Sequence, residues 1–477
     1  MRNKIYSMLL LGVMIVAGCS DFTEIEPKGK NTLSRVEDLD LVLNYTYGLS
    51  ISDVMLLVND MYPMTNIPSL LTESIKTLNY SYITWDESVD RAKLTEADSK
   101  YTRLYGIIGQ VANPVLANID IAEGDQGMAK RLKAEALVLR GWCHYLAVNL
   151  YAKAYDPETA GTDPGILYSL ETDDMTVPNE KLTVARVYDL ILADVDSALN
   201  LGSLPNRPND MRVGLPFAYA VKAKVLMSMR DYDGAFAAAG EALKLNGTIE
   251  NYNDMLEVDP MFGSGILQFS HPDLACEEEY FASPRLFAME ALTPELWNTF
   301  EDGHVFKEYA PTDVRMFGMG MYGNLWYGLD VPVLMSWTLY YNTLGLTSVD
   351  MYLVQAECYI REGNTGDAMD ILNKIREKRI TPEVYAEKEV SSPEEAFVLL
   401  KDISRTESVA TPKYFINLKR WNTEAAYQET LHRLIEYDID SRHYAHEFTL
   451  EPDSPLWIFP FPQNATLYNP DLTQNYE

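Results

Sequence analysis

Among the residue spacings of this 477-residue chain that could support chemistry, His443-x-x-His446-Glu447 is the most metal-like. On a helix a step of three sets both imidazoles on one face, as a zinc site needs. The third ligand is unspecified and the His-Glu-x-x-His order is absent, so neither a metal nor a cofactor is expected. The chain also lacks the GxSxG turn that exposes a nucleophilic serine, the Walker loop that cradles phosphate and the glycine fingerprint of dinucleotide sites. With 70 acidic residues, neighbouring carboxylates carry no information, and Glu357, inside a helical pattern, reads as a packing or capping partner. Cys143 and Cys358 also fall in helical patterns, where a small buried apolar residue is the ordinary role. An enzyme is not expected.

The other residues with binding chemistry are aromatic, and they gather where periodicity fails. Residues 51–95 lose the helical spacing and collect Asn79, Tyr80, Tyr82 and Trp85 among prolines. Residues 251–347 do the same with Trp297, Tyr322, Asn324, Trp326 and Tyr327, the last four within the glycine-rich run Phe317 to Gly328. Long irregular segments in compact proteins are commonly functional. Helical elements must hold them. The longest pattern, Lys130 to Pro157, has apolar or small residues at Ala134, Leu137, Gly141, Tyr145, Val148 and Ala152, widened by Leu146, Ala147 and Leu150. That stripe predicts a spine covered on more than one side. Ser34-x-x-Glu37 reads as a capping box, a helix is expected over 97–121 with a kink at Pro114, and Thr183 is placed to cap another. A further helix is predicted after Pro393, and Leu456 to Pro462 reads as an extended closing segment.

The chain opens as an address. Arg2 and Lys4 precede an apolar run, Met8 to Ala17, too short to span a bilayer, and Val16-Ala17-Gly18-Cys19 resembles the lipobox of bacterial lipoproteins. Residues 1–18 are then a signal peptide, Cys19 the lipidated first residue, and 19–30 a tether. Beyond Cys19, only Cys143, Cys276 and Cys358 remain, an odd number that argues against a disulfide framework. The net charge of −31 disfavours nucleic acid as a partner.

Pro216 to Leu245 and Met351 to Lys378 can be laid over one another without gaps, Ala223 on Ala356, Ala235 on Ala368 and Ala239 on Leu372. Each reads as two antiparallel helices with small residues at the crossing, which resembles tetratricopeptide repeat units. The fold class expected is mainly α: a tetratricopeptide-like repeat lobe with an irregular, loop-rich lobe inserted and packed on it. A helical region over 31–250 would carry the loop-rich stretch 51–95, the inserted ligand lobe would occupy 251–347, and 348–477 would hold the last repeat.

With these parts in order, the chain resembles the SusD/RagB outer-membrane lipoproteins. The resemblance rests on Leu139, Arg140, Tyr145, Leu146, Val148, Leu150 and Tyr151 of the spine, then Thr162 to Ile166 and Val187-Tyr188-Asp189. It continues through Asp313-Val-Arg315, Ala356-Glu357-x-Tyr359, Asn417-Leu-Lys-Arg420-Trp421, Ile458-x-Pro460-x-Pro462 and Asn469-Pro470. One departure is Ile403 to Thr411, ISRTESVAT, where the family usually carries a Glu-Arg-x-x-Glu helix.

The resemblance implies a lipid-anchored protein on the outer face of the outer membrane that binds a nutrient glycan and passes it to a SusC-like TonB-dependent transporter. Its tetratricopeptide face is expected to meet the transporter and its irregular lobe to carry ligand. Pyranose rings offer apolar C–H faces to aromatic rings and hydroxyls to amides. The ligand-binding candidates are therefore Tyr82, Trp85, Trp297, Tyr322, Trp326 and Tyr327 as a platform, with Asn79 and Asn324 as hydrogen-bonding partners. Capture of peptides by a RagB-like member, or a transporter lid with no ligand affinity of its own, are the alternatives.

Overall fold

The computed structural model describes residues 33–174, 176–206, 211–258, 265–267, 277–281, 284–285, 289–308, 323–335 and 341–476. The signal peptide, Cys19, the tether, Cys276 and Tyr322 lie outside the described residues.

The spine is a helix over Gln126–Tyr151, four residues longer at its start than the apolar stripe predicts. The Asp125 carboxylate sets that start by accepting from the N–H groups of Gly127 and Met128. From Ala134 to Tyr151 it is buried on nearly every side, so charged groups on it need internal partners. Arg140 finds them. Its guanidinium donates twice to the Asp194 carboxylate at 2.7 Å and also pairs with Glu171. One residue on, Gly141 lets the helix Val184–Leu201 approach closely, since a Cβ there would meet Val195 Cγ2 at 3.3 Å and the Ile191 carbonyl at 3.4 Å. Thr183 caps that second helix, as expected. His144 is locked in one tautomer: Nε2 accepts from Ser169 N–H at 3.0 Å, so Nδ1 must carry the proton it donates to the Arg140 carbonyl at 2.9 Å.

Both helical hairpins form. The first is Leu215–Ser228 with Tyr232–Leu245 and the second Ser348–Arg361 with Thr365–Glu377. Tyr232–Leu245 packs directly on Ser348–Arg361, so the copies stack although about a hundred residues separate them in the chain. Ala235, Ala239, Ala242, Ala356 and Ala368 are all fully buried, and their small size lets the helix backbones come together. Glu357 then ties the second pair to the helix Lys413–Trp421. Arg420 donates to both its oxygens at 2.7 and 2.6 Å, Arg361 donates at 2.8 Å, and the Trp421 indole N–H at 3.1 Å. Burial works against the Glu357 charge, but Arg420 and Arg361 override it and hold the carboxyl down at about 2.

Several local expectations fail for identifiable reasons. The capping box at Ser34 does not form. Residues 34–36 pair with Glu123 instead, through Val36 N–H to the Glu123 carbonyl at 2.9 Å and Glu123 N–H to the Ser34 carbonyl at 2.8 Å, and the helix Val36–Leu43 starts without a side-chain cap. The stretch 51–95 holds four short helices, Ser52–Leu57, Ile67–Thr72, Leu78–Thr84 and Arg91–Leu94, each too short for a 3.6-residue period to show. Three of the four carry side-chain caps, from Asn66, Thr77 and Asp90. The bend placed at Pro114 is a π-helical turn, Ile108–Ala112, between the helices Ser99–Ile107 and Asn113–Asn118.

The helical reading of His443 and His446 is wrong. They lie on the second strand of the hairpin Leu431–Ile439 and Arg442–Leu450, where a period of two sends them to opposite faces. Asp440 and Ser441, both at positive φ, make its two-residue turn. His443 meets Asp438 and His446 meets the Tyr437 hydroxyl. Among the described residues no group of three His, Cys, Asp or Glu could hold a metal ion. Cys143 and Cys358 are buried and free. No helix among the described residues is long and apolar enough to cross a membrane.

Candidate ligand cleft

The stretch 51–95 and the closing segment meet in a cleft of about 250 Å³. Ser52 and Asp53, at the start of Ser52–Leu57, form one wall; Leu78, Asn79 and Tyr82, on Leu78–Thr84, form a second. Pro63, Thr95 and the helix start at Asp98, Ser99 and Lys100 complete the rim, and Phe459 and Pro460 also line it. That volume sits just under the ~300–1,000 Å³ of most small-molecule clefts and suits a single ring-sized unit.

Charge in the cleft is centred on Lys100, whose side chain is almost wholly buried. Its ammonium pairs with Asp53 and, at 3.1 Å, with Asp98, and stands 4.7 Å from the centre of the Phe459 ring. Burial alone would lower the Lys100 pKa; the two carboxylates outweigh it and hold the ammonium above its ordinary value. Asp98 is further fixed by the Tyr151 hydroxyl at 2.9 Å, from the end of the spine. The Asp53 side chain keeps 31% of its surface exposed and so still has acceptor capacity. Asn79 is half-buried, and among the described residues its amide has no hydrogen-bonding partner. The cleft therefore presents a free amide and a carboxylate oxygen beside the apolar surfaces of Pro63, Leu78 and Phe459.

The cleft's shape is set from outside by Arg433, which lies fully buried at the base of the hairpin. Its guanidinium donates to the Leu56 carbonyl at the end of Ser52–Leu57, and to the Tyr82 and Ile83 carbonyls at the end of Leu78–Thr84. Its Nε donates to Asn59 Oδ1 at 2.8 Å. One side chain thus satisfies the orphan carbonyls of both wall helices. It also stacks 4.2 Å over the Trp85 ring, and the Trp85 indole N–H donates to the Leu57 carbonyl at 3.0 Å. Burial lowers Arg433 to about 10.

Of the described candidates, the structure places Asn79 and Tyr82 in this cleft and Trp85, Trp297, Asn324, Trp326 and Tyr327 outside it. Tyr82 is only 2% exposed, packed against Phe459, so it contributes an edge and no open face. Trp85 and Tyr327 are core residues with covered rings, and cannot serve as a platform. Trp297, on the helix Pro294–Thr299, and Trp326 are half-buried against the core, and Asn324 is exposed; none of these three lines the cleft. The two irregular segments are nonetheless joined. Strand Met61–Tyr62 pairs with Met289–Leu292, which pairs with Val333–Met335. Ser52 at the cleft wall donates to Glu290 at 2.9 Å. Gly328, at φ 70°, seats the turn Gly323–Tyr327 on Pro68, whose Cδ would lie 2.8 Å from an added Cβ. The charged lining, Asp53, Asp98 and Lys100, was not singled out from the sequence; Asp98-Ser99-Lys100 announces a helix cap and nothing more.

Two family models match this chain. Residues 32–227 match a SusD-like family described as starch-binding and associating with the outer membrane, and residues 349–477 match the SusD family. Among solved structures, a SusD superfamily protein from Bacteroides thetaiotaomicron is similar with a TM-score of 0.67 at 17% identity, over 92% of this chain and 99% of that one. A putative sugar binding protein from Bacteroides vulgatus is similar with a TM-score of 0.65 at 18% identity, over 94% and 99%. Surface glycan-binding protein A from Bacteroides uniformis gives 0.61 at 13%, over 92% and 100%. Curated proteins compared by sequence give no match.

Proposed function

Because the chain belongs to the SusD/RagB family, whose members bind ligands and are associated with the outer membrane, we propose that it captures a nutrient glycan at the cell surface and delivers it to a SusC-like TonB-dependent transporter. The match of residues 32–227 to the starch-binding, outer-membrane-associating family carries this reading. Cys19 would bear the lipid that holds the protein on the outer leaflet, facing outward. The Asn79 amide and the free capacity of Asp53 would take sugar hydroxyls, with Pro63, Leu78 and Phe459 against the C–H face of the ring. Asn324 and Trp326, on the turn seated against Ile67–Thr72, would meet further units of a longer chain. The net charge of −31 gives peptide capture a footing as the second reading, since that field attracts cationic peptides.

The test is binding of detergent-solubilised full-length protein to a broad glycan array and to a peptide library. Saturable binding to one glycan class, weakened by Asp53→Asn and Asn79→Ala, is the expected result. A blank glycan array with binding of lysine-rich peptides would replace the first reading by the second. Co-purification of an outer-membrane transporter from the native membrane tests the delivery step.

A further inference from the structure

A second and larger cavity, about 480 Å³, lies at the C-terminal end of the spine, apart from the cleft. Lys419 lines it and is only 5% exposed. Two of its three ammonium hydrogens go to the last carbonyls of the spine, Asn149 at 2.7 Å and Ala152. The Phe415 ring stands 5.5 Å away on one side. Among the described residues Lys419 has no ion-pair partner, whereas neighbouring charges of the lining are matched: Lys153 with Asp163 at 3.0 Å, and Asp156 with Arg230 at 3.4 Å. Asp453 is exposed at the rim. The end of a helix is equivalent to roughly half a negative charge, which leaves about half of the Lys419 charge uncompensated. Desolvation without a counter-charge lowers its pKa to about 7.

Asn422 supplies a second spare donor in the same lining. Its Oδ1 accepts from Glu429 N–H at 3.0 Å, while its Nδ2 is buried with no partner among the described residues. A buried donor left unmade is costly and marks a place where an acceptor belongs. The remaining walls offer hydroxyls from Thr159 and Ser454 and the apolar surface of Trp457. We propose that this cavity is a second ligand site, for a small polyhydroxylated carboxylate of the size of a hexuronate, whose carboxylate completes the hydrogen bonding of Lys419 and Asn422. The site is independent of the glycan cleft, and either can fail without the other.

The test follows the Lys419 ammonium by nitrogen-15 lysine NMR in the full-length protein as sodium glucuronate, then glucose, is added. Glucuronate is expected to shift the resonance saturably and to raise its proton affinity at least tenfold, with glucose inert. Lys419→Met is expected to abolish calorimetric glucuronate binding. Because that change strands two carbonyls, Asn422→Asp is the second variant and is expected to weaken glucuronate tenfold or more with the fold intact. A resonance that ignores glucuronate, or that responds equally to glucose, overturns the proposal.

Discussion

The repeat pairs and the stretch 51–95 solve the same problem, closing their backbones against one another, by opposite means. In the repeats, carbonyls and N–H groups pair within long helices, and contact is made by alanines at the crossings, Ala235, Ala239 and Ala356. In 51–95 the helices run only four to seven residues, so most of their terminal groups lack partners of their own. Cations brought from far along the chain supply the donors. Arg433 serves the wall helices, and Arg405 donates to the Asn59 carbonyl and the Asp60 carboxylate; in return Arg91, from within the stretch, donates to the Ile458 and Pro455 carbonyls. The scaffold depends on fit; the region around the cleft depends on a few long polar side chains.

The sharpest way to break that contrast is Arg433→Met. It strands acceptors at Leu56, Tyr82 and Ile83, at ~1–3 kcal/mol for each one left unpaired, and the loss is expected to be regional. Hydrogen exchange should accelerate over 51–95 while 215–245 stays protected, and Arg433→Lys should not restore it, because one ammonium cannot reach both helix ends. If both regions melt together, the two are one cooperative unit and the contrast is only descriptive.

Leu372→Ala, in the second repeat pair, is the opposite probe. Its fully buried side chain predicts a loss of ~2–5 kcal/mol by chemical denaturation, spread over the whole repeat stack. Acid comes next. Burial keeps His144 neutral, its pKa lowered from 6.5 to about 3, so the unfolded chain binds the extra proton first. Stability is therefore lost as pH falls through that window, by about 2 kcal/mol between pH 6.5 and 5 at ~1.4 kcal/mol per pH unit. His144→Gln should remove this contribution and leave the similar one of His304, which burial also lowers to about 3. Glu357 adds its own loss only below 4.5, as pH falls toward about 2. Smallest is Asn79→Ala, which should leave stability within ~0.5 kcal/mol and weaken ligand binding by ~1 kcal/mol, close to fivefold.

The same contrast explains what the sequence discloses. The spine and both hairpins are long enough for a 3.6-residue period to stand out, and the small residues at Ala223, Ala235 and Ala356 mark the crossings directly. Thr183 and Pro393 announce helix starts that the structure contains. The cleft is less legible. Asn79 and Tyr82 are found by composition, but the groups that give the cleft charge and shape, Lys100, Phe459 and Arg433, come from positions up to about 400 residues away and carry no local signal. Trp85 and Tyr327 mislead for a related reason. An aromatic ring in an irregular segment serves equally well as the only large apolar body available to fill its core, and both are used that way.

The closing segment has a bearing on how the chain comes to be folded at all. Phe459 N–H bonds to the Leu150 carbonyl at 2.9 Å, Asn475 donates to the Tyr151 and Gly165 carbonyls at 2.7 Å, and Lys181 reaches Thr473 and Asn475. Residues 459–475 thus clasp the end of a spine made some three hundred residues earlier. Chains are synthesised from the N-terminus, and contacts so distant in sequence form late. The spine's final turn must therefore wait, its apolar surface open, until residues 457–475 emerge, and a product truncated before Trp457 would retain that exposure permanently, as a target for chaperones and proteases.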